Sequence, residues 1–198
     1  MIAKEDIKSE INLRFERFKE EILNYLPLEL RNLLLKVDPK ELSLLEEIRM
    51  RADKPLMLGY SMGDMFLEHN GRVNKECISP RRVSQNEIMK TLELMSQNSI
   101  YAFVEDIRNG YLTLKGGHRV GICGRTVIEG ENIKNIKDVS GLNIRVSKEA
   151  LGCSQKIMKY ILKNEKDIYN TLLLSPPQCG KTTMLRDIAR NLSEGMAN

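Results

Sequence analysis

Asn170-Thr-Leu-Leu-Leu-Ser-Pro-Pro-Gln-Cys-Gly-Lys-Thr-Thr-Met-Leu-Arg-Asp-Ile-Ala-Arg190 reads as strand, loop and helix in succession. Thr171 to Leu174 is a short apolar run between turn signals, the pattern of a fully buried parallel strand. Ser175-Pro-Pro-Gln-Cys-Gly-Lys-Thr182 then matches a phosphate-binding P-loop at every position but the first, where serine stands for glycine. Met184, Leu185, Ile188, Ala189 and Leu192 follow at the spacing of one buried helix face. A triphosphate is held mainly by inward-turned backbone N–H groups and by the positive end of the following helix, which is the chemistry this loop offers.

Within the loop, Pro177, Gln178, Cys179 and Gly180 supply backbone, and Gly180 lets it approach the phosphates closely. Lys181 is placed to reach the β- and γ-phosphates of ATP, Thr182 to put its hydroxyl on Mg²⁺, and Thr183 to touch the α-phosphate. Cys179 also stands in the anion nest at a helix start, an environment that favours a reactive thiol, and equally suits a small residue that merely fills the loop. The four cysteines are widely spaced without a Cys-x-x-Cys pair, and His69 and His118 are the two histidines, so a zinc site is not expected. The N-terminus is charged rather than leader-like, and no apolar run approaches the roughly 20 residues of a membrane span.

The chain has 31 basic and 27 acidic side chains in 198 residues. Between Lys75 and Lys148 there are 12 basic and 8 acidic residues, so the whole excess of +4 lies in the middle of the chain. A basic surface of this kind suits phosphates or nucleic acid, and equally an ordinary solvated face. Single-strand binders interleave aromatics with basic residues, whereas this segment offers Tyr101, Phe103 and Tyr111, which argues against nucleic acid as the partner. A nucleotide-regulated nucleic-acid-binding protein is the alternative to a P-loop ATPase.

Upstream, Ile7, Ile11, Phe15, Phe18, Ile22 and Tyr25 recur at steps of three and four, predicting one amphipathic helix from Lys4 to about Leu26. Leu28 to Val37 predicts a second short helix that ends at Asp38-Pro39. Strands are expected at Glu47–Arg51, Pro55–Tyr60 and Met65–Leu67. Helices follow at Ser84–Met95, with Ser84 and Glu87 as a capping box, and at Ser99–Ile107. A glycine-rich hairpin spans Tyr111 to Ile128, and a last strand covers Gly141 to Ser147. A helix carrying Ile157, Met158, Ile161 and Leu162 precedes the P-loop. The expected division is a helical segment 1–38, an α+β domain 39–150, and the opening of an α/β nucleotide-binding domain at 151–198. Such a domain needs further parallel strands and an acidic strand end, so the sequence is expected to be part of a longer protein, and inactive in hydrolysis by itself.

Gly116-Gly-His-Arg-Val-Gly-Ile122, Ser140-Gly-Leu-Asn-Ile-Arg-Val146 and Ser175-Pro-Pro-Gln-Cys-Gly-Lys-Thr-Thr183 together resemble the stage III sporulation protein AA family of endospore-forming bacteria. The resemblance runs from about Glu47 to the end of the chain and includes the serine at the first loop position. Members look like the hexameric motor ATPases of type II and type IV secretion and pilus systems, with an N-terminal domain joined to a RecA-like ATPase core. The resemblance implies a cytoplasmic, mother-cell protein, held at the membrane through the proteins of a channel to the forespore. It also implies that Arg119 and Arg145 approach the nucleotide phosphates, as an always-charged planar fork is suited to do. Each is equally compatible with an ordinary surface position on a strand. Arg125 is a weaker third candidate.

Overall fold

A computed structural model of the chain describes residues 4–76, 78–96, 109–130, 132–148, 152–164, 167–177 and 179–195. They fall into two compact units, Met1–Ser147 and Lys148–Asn198. Together they form a mixed fold of N-terminal helices, an antiparallel sheet and C-terminal helices. Among the described residues no helix is long and apolar enough to cross a membrane.

The first unit opens with α1, Lys4–Glu21, which stops one turn earlier than its periodicity predicts. A 3-10 turn at Leu23–Tyr25 replaces the last turn. Arg31 stabilises that ending by donating from Nε to the Leu23 carbonyl at 3.0 Å and from Nη2 to the Asn24 carbonyl at 3.2 Å. The Leu23 carbonyl also accepts the Leu26 amide at 3.0 Å, so the arginine adds a side-chain donor where the helical ladder runs out. Helix α2, Leu28–Leu34, follows. Asp38-Pro39, expected to be an ending, instead starts α3, Pro39–Leu44, with the Asp38 carboxylate accepting from the Lys40 amide at 2.7 Å. An N-cap aspartate followed by proline at the first helical position is a start signal.

The strands are β1 Glu47–Arg51, β2 Met57–Tyr60, β3 Gly63–Leu67, β4 Val73–Asn74, β5 Tyr111–Thr113, β6 Arg119–Glu129 and β7 Asn132–Arg145. They make one sheet in the order β4-β3-β2-β1-β7-β6-β5, with antiparallel neighbours throughout. Between β4 and β5, α4 spans Gln85–Met95 and carries the expected capping box between Ser84 and Glu87. The helix expected at Ser99–Ile107 lies outside the described residues.

Strand β7 is much longer than the Gly141–Ser147 segment the sequence suggests. From Arg125 to Glu129 the partner residues on β7 run from Lys137 to Asn132, beyond the residues where β1 and β5 pair. A two-stranded ribbon has no neighbour to bury a face against, so little apolar alternation marks it in the sequence.

The period of two decides the faces of the central sheet. Ile48, Met50, Leu58, Leu112, Val120, Ile122, Leu142 and Ile144 point to one side and join Ile22, Leu26, Leu34, Leu45, Ile88 and Leu92 of the helical layer in one core. The other side carries Glu47, Arg49, Arg51, Tyr111, Thr113, Arg119, Asn143 and Arg145.

The second unit is smaller. Helix α5, Gln155–Ile161, and helix α6, Lys181–Ser193, meet through Met158, Ile161 and Ile188, with Ile157, Leu162, Leu173, Met184 and Leu192 packed around them. Thr171 to Leu174 is not the buried parallel strand the sequence predicts: it has no strand structure, and Leu172 and Leu174 are 79% and 84% exposed. A strand needs a ladder partner, and among the described residues none lies beside this segment. Leu185 and Ala189 of the expected α6 face are likewise exposed. One neighbouring helix covers the ridge Met184, Ile188 and Leu192; the adjacent ridge would need a second layer.

Candidate functional site

Gly180 is the cap residue of α6 and sits at φ 77°, ψ 15°, the left-handed region. A side chain there would meet no atom within 4 Å, so glycine is required by conformation rather than by space. The first helical bond runs from the Met184 amide to the Gly180 carbonyl at 2.9 Å. The amides of Lys181, Thr182 and Thr183 therefore have no intrahelical partner and, with the helix dipole, form a donor cluster for an anion. Lys181 Nζ folds back over the loop, donating to the carbonyls of Ser175 at 3.0 Å and Pro176 at 2.9 Å. Neither bond is to a charged group, so a bound phosphate would compete for the ammonium on favourable terms. Thr182 is exposed and Thr183 half-buried on the first turn, and Pro177 and Cys179 are exposed in the loop. Gln178 lies outside the described residues.

The free amides, the Lys181 ammonium and the hydroxyls of Thr182 and Thr183 on this first turn are groups that would suit the phosphates of a nucleoside triphosphate. Mg²⁺ would find the Thr182 hydroxyl here and take its remaining ligands from phosphates and water, as this cation commonly does. Among the described residues no cluster of three acidic, histidine or cysteine side chains offers a site of its own.

Sequence reasoning passed over Asp187, one of the best-connected side chains of this unit. It is 5% exposed. Its carboxylate accepts from the Gly152 amide at 3.0 Å, the Ser154 amide at 2.8 Å, the Ser154 hydroxyl at 2.7 Å and Arg190 Nη2 at 2.8 Å. Burial alone would raise its pKa; the Arg190 guanidinium, the Ser154 hydroxyl and the two amides outweigh burial and hold the carboxyl well below the usual carboxylate range. The bonds tie α6 to the start of α5, which fixes the helix whose first turn faces the loop. An aspartate on the otherwise apolar side of the helix, one residue before Ile188, was the available signal.

Arg119 and Arg145 belong to the first unit, where they are register partners across β6 and β7. Arg145 is also paired with Glu47 of β1, and its Nε lies 3.7 Å from Glu47 Oε1. Both arginines are exposed on the side of the sheet opposite the helices. Like charges directly opposite each other destabilise a sheet by roughly 0.2–1 kcal/mol, so this row costs the fold a little. Arg125 is committed elsewhere, since its Nε donates to Asp138 at 2.8 Å.

Comparison with known proteins adds the identity of the lineage. A family model described as sporulation stage III, protein AA, matches residues 16–198. Stage III sporulation protein AA of Bacillus subtilis (strain 168) is 33% identical over 178 residues, which cover 90% of this chain and 53% of that protein. The chain thus spans about half the length of the curated relative it matches. Among solved structures, the X-ray structure of the Legionella pneumophila ATPase DotB aligns with 83% of this chain and 40% of that one, at 14% identity and a TM-score of 0.41. That score is too low to argue from. The family model and the relative suffice: the chain belongs to the sporulation stage III protein AA family.

Proposed function

We propose that this chain binds ATP with Mg²⁺ at Pro177–Thr183, as the nucleotide-loop portion of a secretion-type motor ATPase. The observation that carries the reading is the left-handed Gly180 directly ahead of α6, with three unpartnered amides and Lys181 poised over the loop. Lys181 takes the β- and γ-phosphates, Thr182 the metal and Thr183 the α-phosphate. Arg119 and Arg145 serve as phosphate contacts from the sheet of the first unit. Their exposed side-by-side placement supports this, because two guanidinium groups held together are worth their mutual repulsion when an anion occupies the space between them.

Family membership supports a place in sporulation, and the resemblance to secretion ATPases supports the rest: a cytoplasmic, mother-cell protein acting as a homohexamer on the membrane proteins of the channel to the forespore. Hydrolysis belongs to a chain that also brings an acidic residue to the metal and the attacking water.

The test is nucleotide affinity, measured with a fluorescent ATP analogue and Mg²⁺. Lys181→Ala is expected to weaken binding by at least about tenfold, the loss of one charge-assisted contact in a phosphate site. Equal affinity in the variant and the unsubstituted chain would remove the assignment.

A further inference from the structure

The Gly116-Gly117 turn ahead of Arg119 closes on a buried imidazole. His118 is 2% exposed. Its Nδ1 lies 2.9 Å from the Ser147 amide nitrogen, and an amide N–H can only donate, so Nδ1 is the unprotonated acceptor. The ring hydrogen is thereby assigned to Nε2, which donates to Glu21 Oε2 at 2.8 Å. The same carboxylate oxygen accepts from Arg17 Nε at 2.8 Å. Gly116, at φ 81°, leaves the Glu21 carboxylate the space a Cβ would fill. Gly116 and His118 of this motif thus serve one local arrangement, which seats the imidazole between α1 and the end of β7.

The placement of that imidazole relative to the arginines is the telling feature. His118 immediately precedes Arg119, and Ser147 follows Arg145 by two residues. Arg119 and Arg145 are partners in the last row of the β6–β7 ladder. The Ser147–His118 bond therefore continues the pairing past that row by means of a side chain. We infer that His118 is a positioning residue for the arginine pair: by accepting the Ser147 amide it holds the ends of β6 and β7 together. Two mutually repelling guanidinium groups then stay adjacent and bind one phosphate-bearing ligand jointly. This rests on the proposed role of Arg119 and Arg145 toward phosphates, and it adds a residue that does not itself touch the ligand. Without the clamp the strand ends could part, and the repulsion of the two cations would favour their doing so.

The two ring nitrogens can be separated by substitution. His118→Asn keeps an acceptor near the Nδ1 position and loses the contact to Glu21; His118→Gln keeps a donor near the Nε2 position and loses the acceptor for Ser147. The experiment titrates the chain with inorganic tripolyphosphate at low salt, following the Arg119 and Arg145 side-chain N–H resonances, with thermal melts of every variant alongside. His118→Asn is expected to bind nearly as the unsubstituted chain does, and His118→Gln severalfold more weakly, with the two melting at similar temperatures. In an Arg119→Ala background the His118→Gln change should add no further loss, because its effect runs through that arginine. Unchanged affinity in His118→Gln, or an equal loss in both variants, would overturn the inference while leaving the phosphate assignment in place. Arginine resonances that do not respond to tripolyphosphate in the unsubstituted chain would overturn both together.

Discussion

The first unit buries its apolar residues between a helical layer and a sheet, whereas the second has one helix to set against another. Ile48, Met50, Leu142 and Ile144 are each at most 1% exposed and share one core with residues from α1, α2, α3 and α4. In the second unit the buried apolar residues are Met158, Ile161 and Ile188, while Leu172, Leu174 and Leu185 face outward. Two layers cover both sides of each core residue; a pair of short helices covers one ridge. A helix of the length of α6 is marginal alone in water, so the order of the second unit depends on the small apolar cluster and on the bonds to Asp187. The candidate nucleotide loop thus sits on the less stable part of the molecule, a common arrangement for segments that bind and move.

The widest gap between the units should appear in core truncations. Ile144→Ala in β7 removes a fully buried side chain from a closed core and is expected to cost about 2–5 kcal/mol. Ile188→Ala, at the smaller interface, should cost about 1.5 kcal/mol, because the partly covered site can relax around the loss. Denaturant unfolding, followed by a probe placed in each unit, measures both. Equal costs would break the contrast.

Next in size is the buried carboxylate. Asp187→Asn keeps the shape but loses the charge that Arg190, Ser154 and Gly152 surround, at an expected cost of about 1.5–3 kcal/mol confined to the second unit. The same group makes that unit sensitive to acid. An unfolded aspartate titrates near pH 3.9. The folded value is depressed, so the unfolded chain takes up the proton first and the stabilisation is complete only above about pH 4–5. It is lost as pH falls through the depressed folded value. Hydrogen exchange of α6 amides at pH 6 and pH 3.5 should show this loss in the natural chain and a flatter dependence in Asp187→Asn. A dependence as steep in the variant would assign the acid sensitivity to other groups.

What could be read from the sequence follows the same divide. The Ser84–Glu87 capping box, the faces of β1 and the helix start at Gly180-Lys181-Thr182 depend on residues within a turn of one another, and local chemistry is visible in local sequence. The adjacency of Arg119 and Arg145 is set by a hairpin whose ribbon half shows little apolar alternation and whose register shifts between Cys123 and Arg125, so the sequence could name both arginines but not pair them. His118 could be read only as part of the 116–122 motif and as one of two histidines too few for a zinc site, because its partners Glu21 and Ser147 lie far away along the chain. Asp187 was hidden for a similar reason, since Gly152 and Ser154 precede it by more than thirty residues and only Arg190 is a near neighbour in sequence. Thr171 to Leu174 misled in the opposite direction: its composition suits a buried strand, but burial is a property of neighbours that the segment itself cannot supply.

The smallest expected effect concerns that apolar segment. Leu172 is 79% exposed and makes no part of the Met158–Ile161–Ile188 cluster, while its neighbour Leu173 packs against it. A charge at an exposed site forfeits little transfer free energy, and surface substitutions away from caps and cores usually fall within about 0.5 kcal/mol of neutral. Leu172→Asp in this chain should therefore leave the unfolding midpoint of the second unit where it was. The same change one residue on, Leu173→Asp, would place a carboxylate against the helix pair and should lower the midpoint, because a partly buried charge needs partners that the apolar cluster lacks. The pair of variants tests the segment residue by residue. A loss for Leu172→Asp as large as for Leu173→Asp would mean that both faces of the run are covered, as in the buried strand its composition suggests. The contrast between a closed first unit and an open second one would then have to be given up.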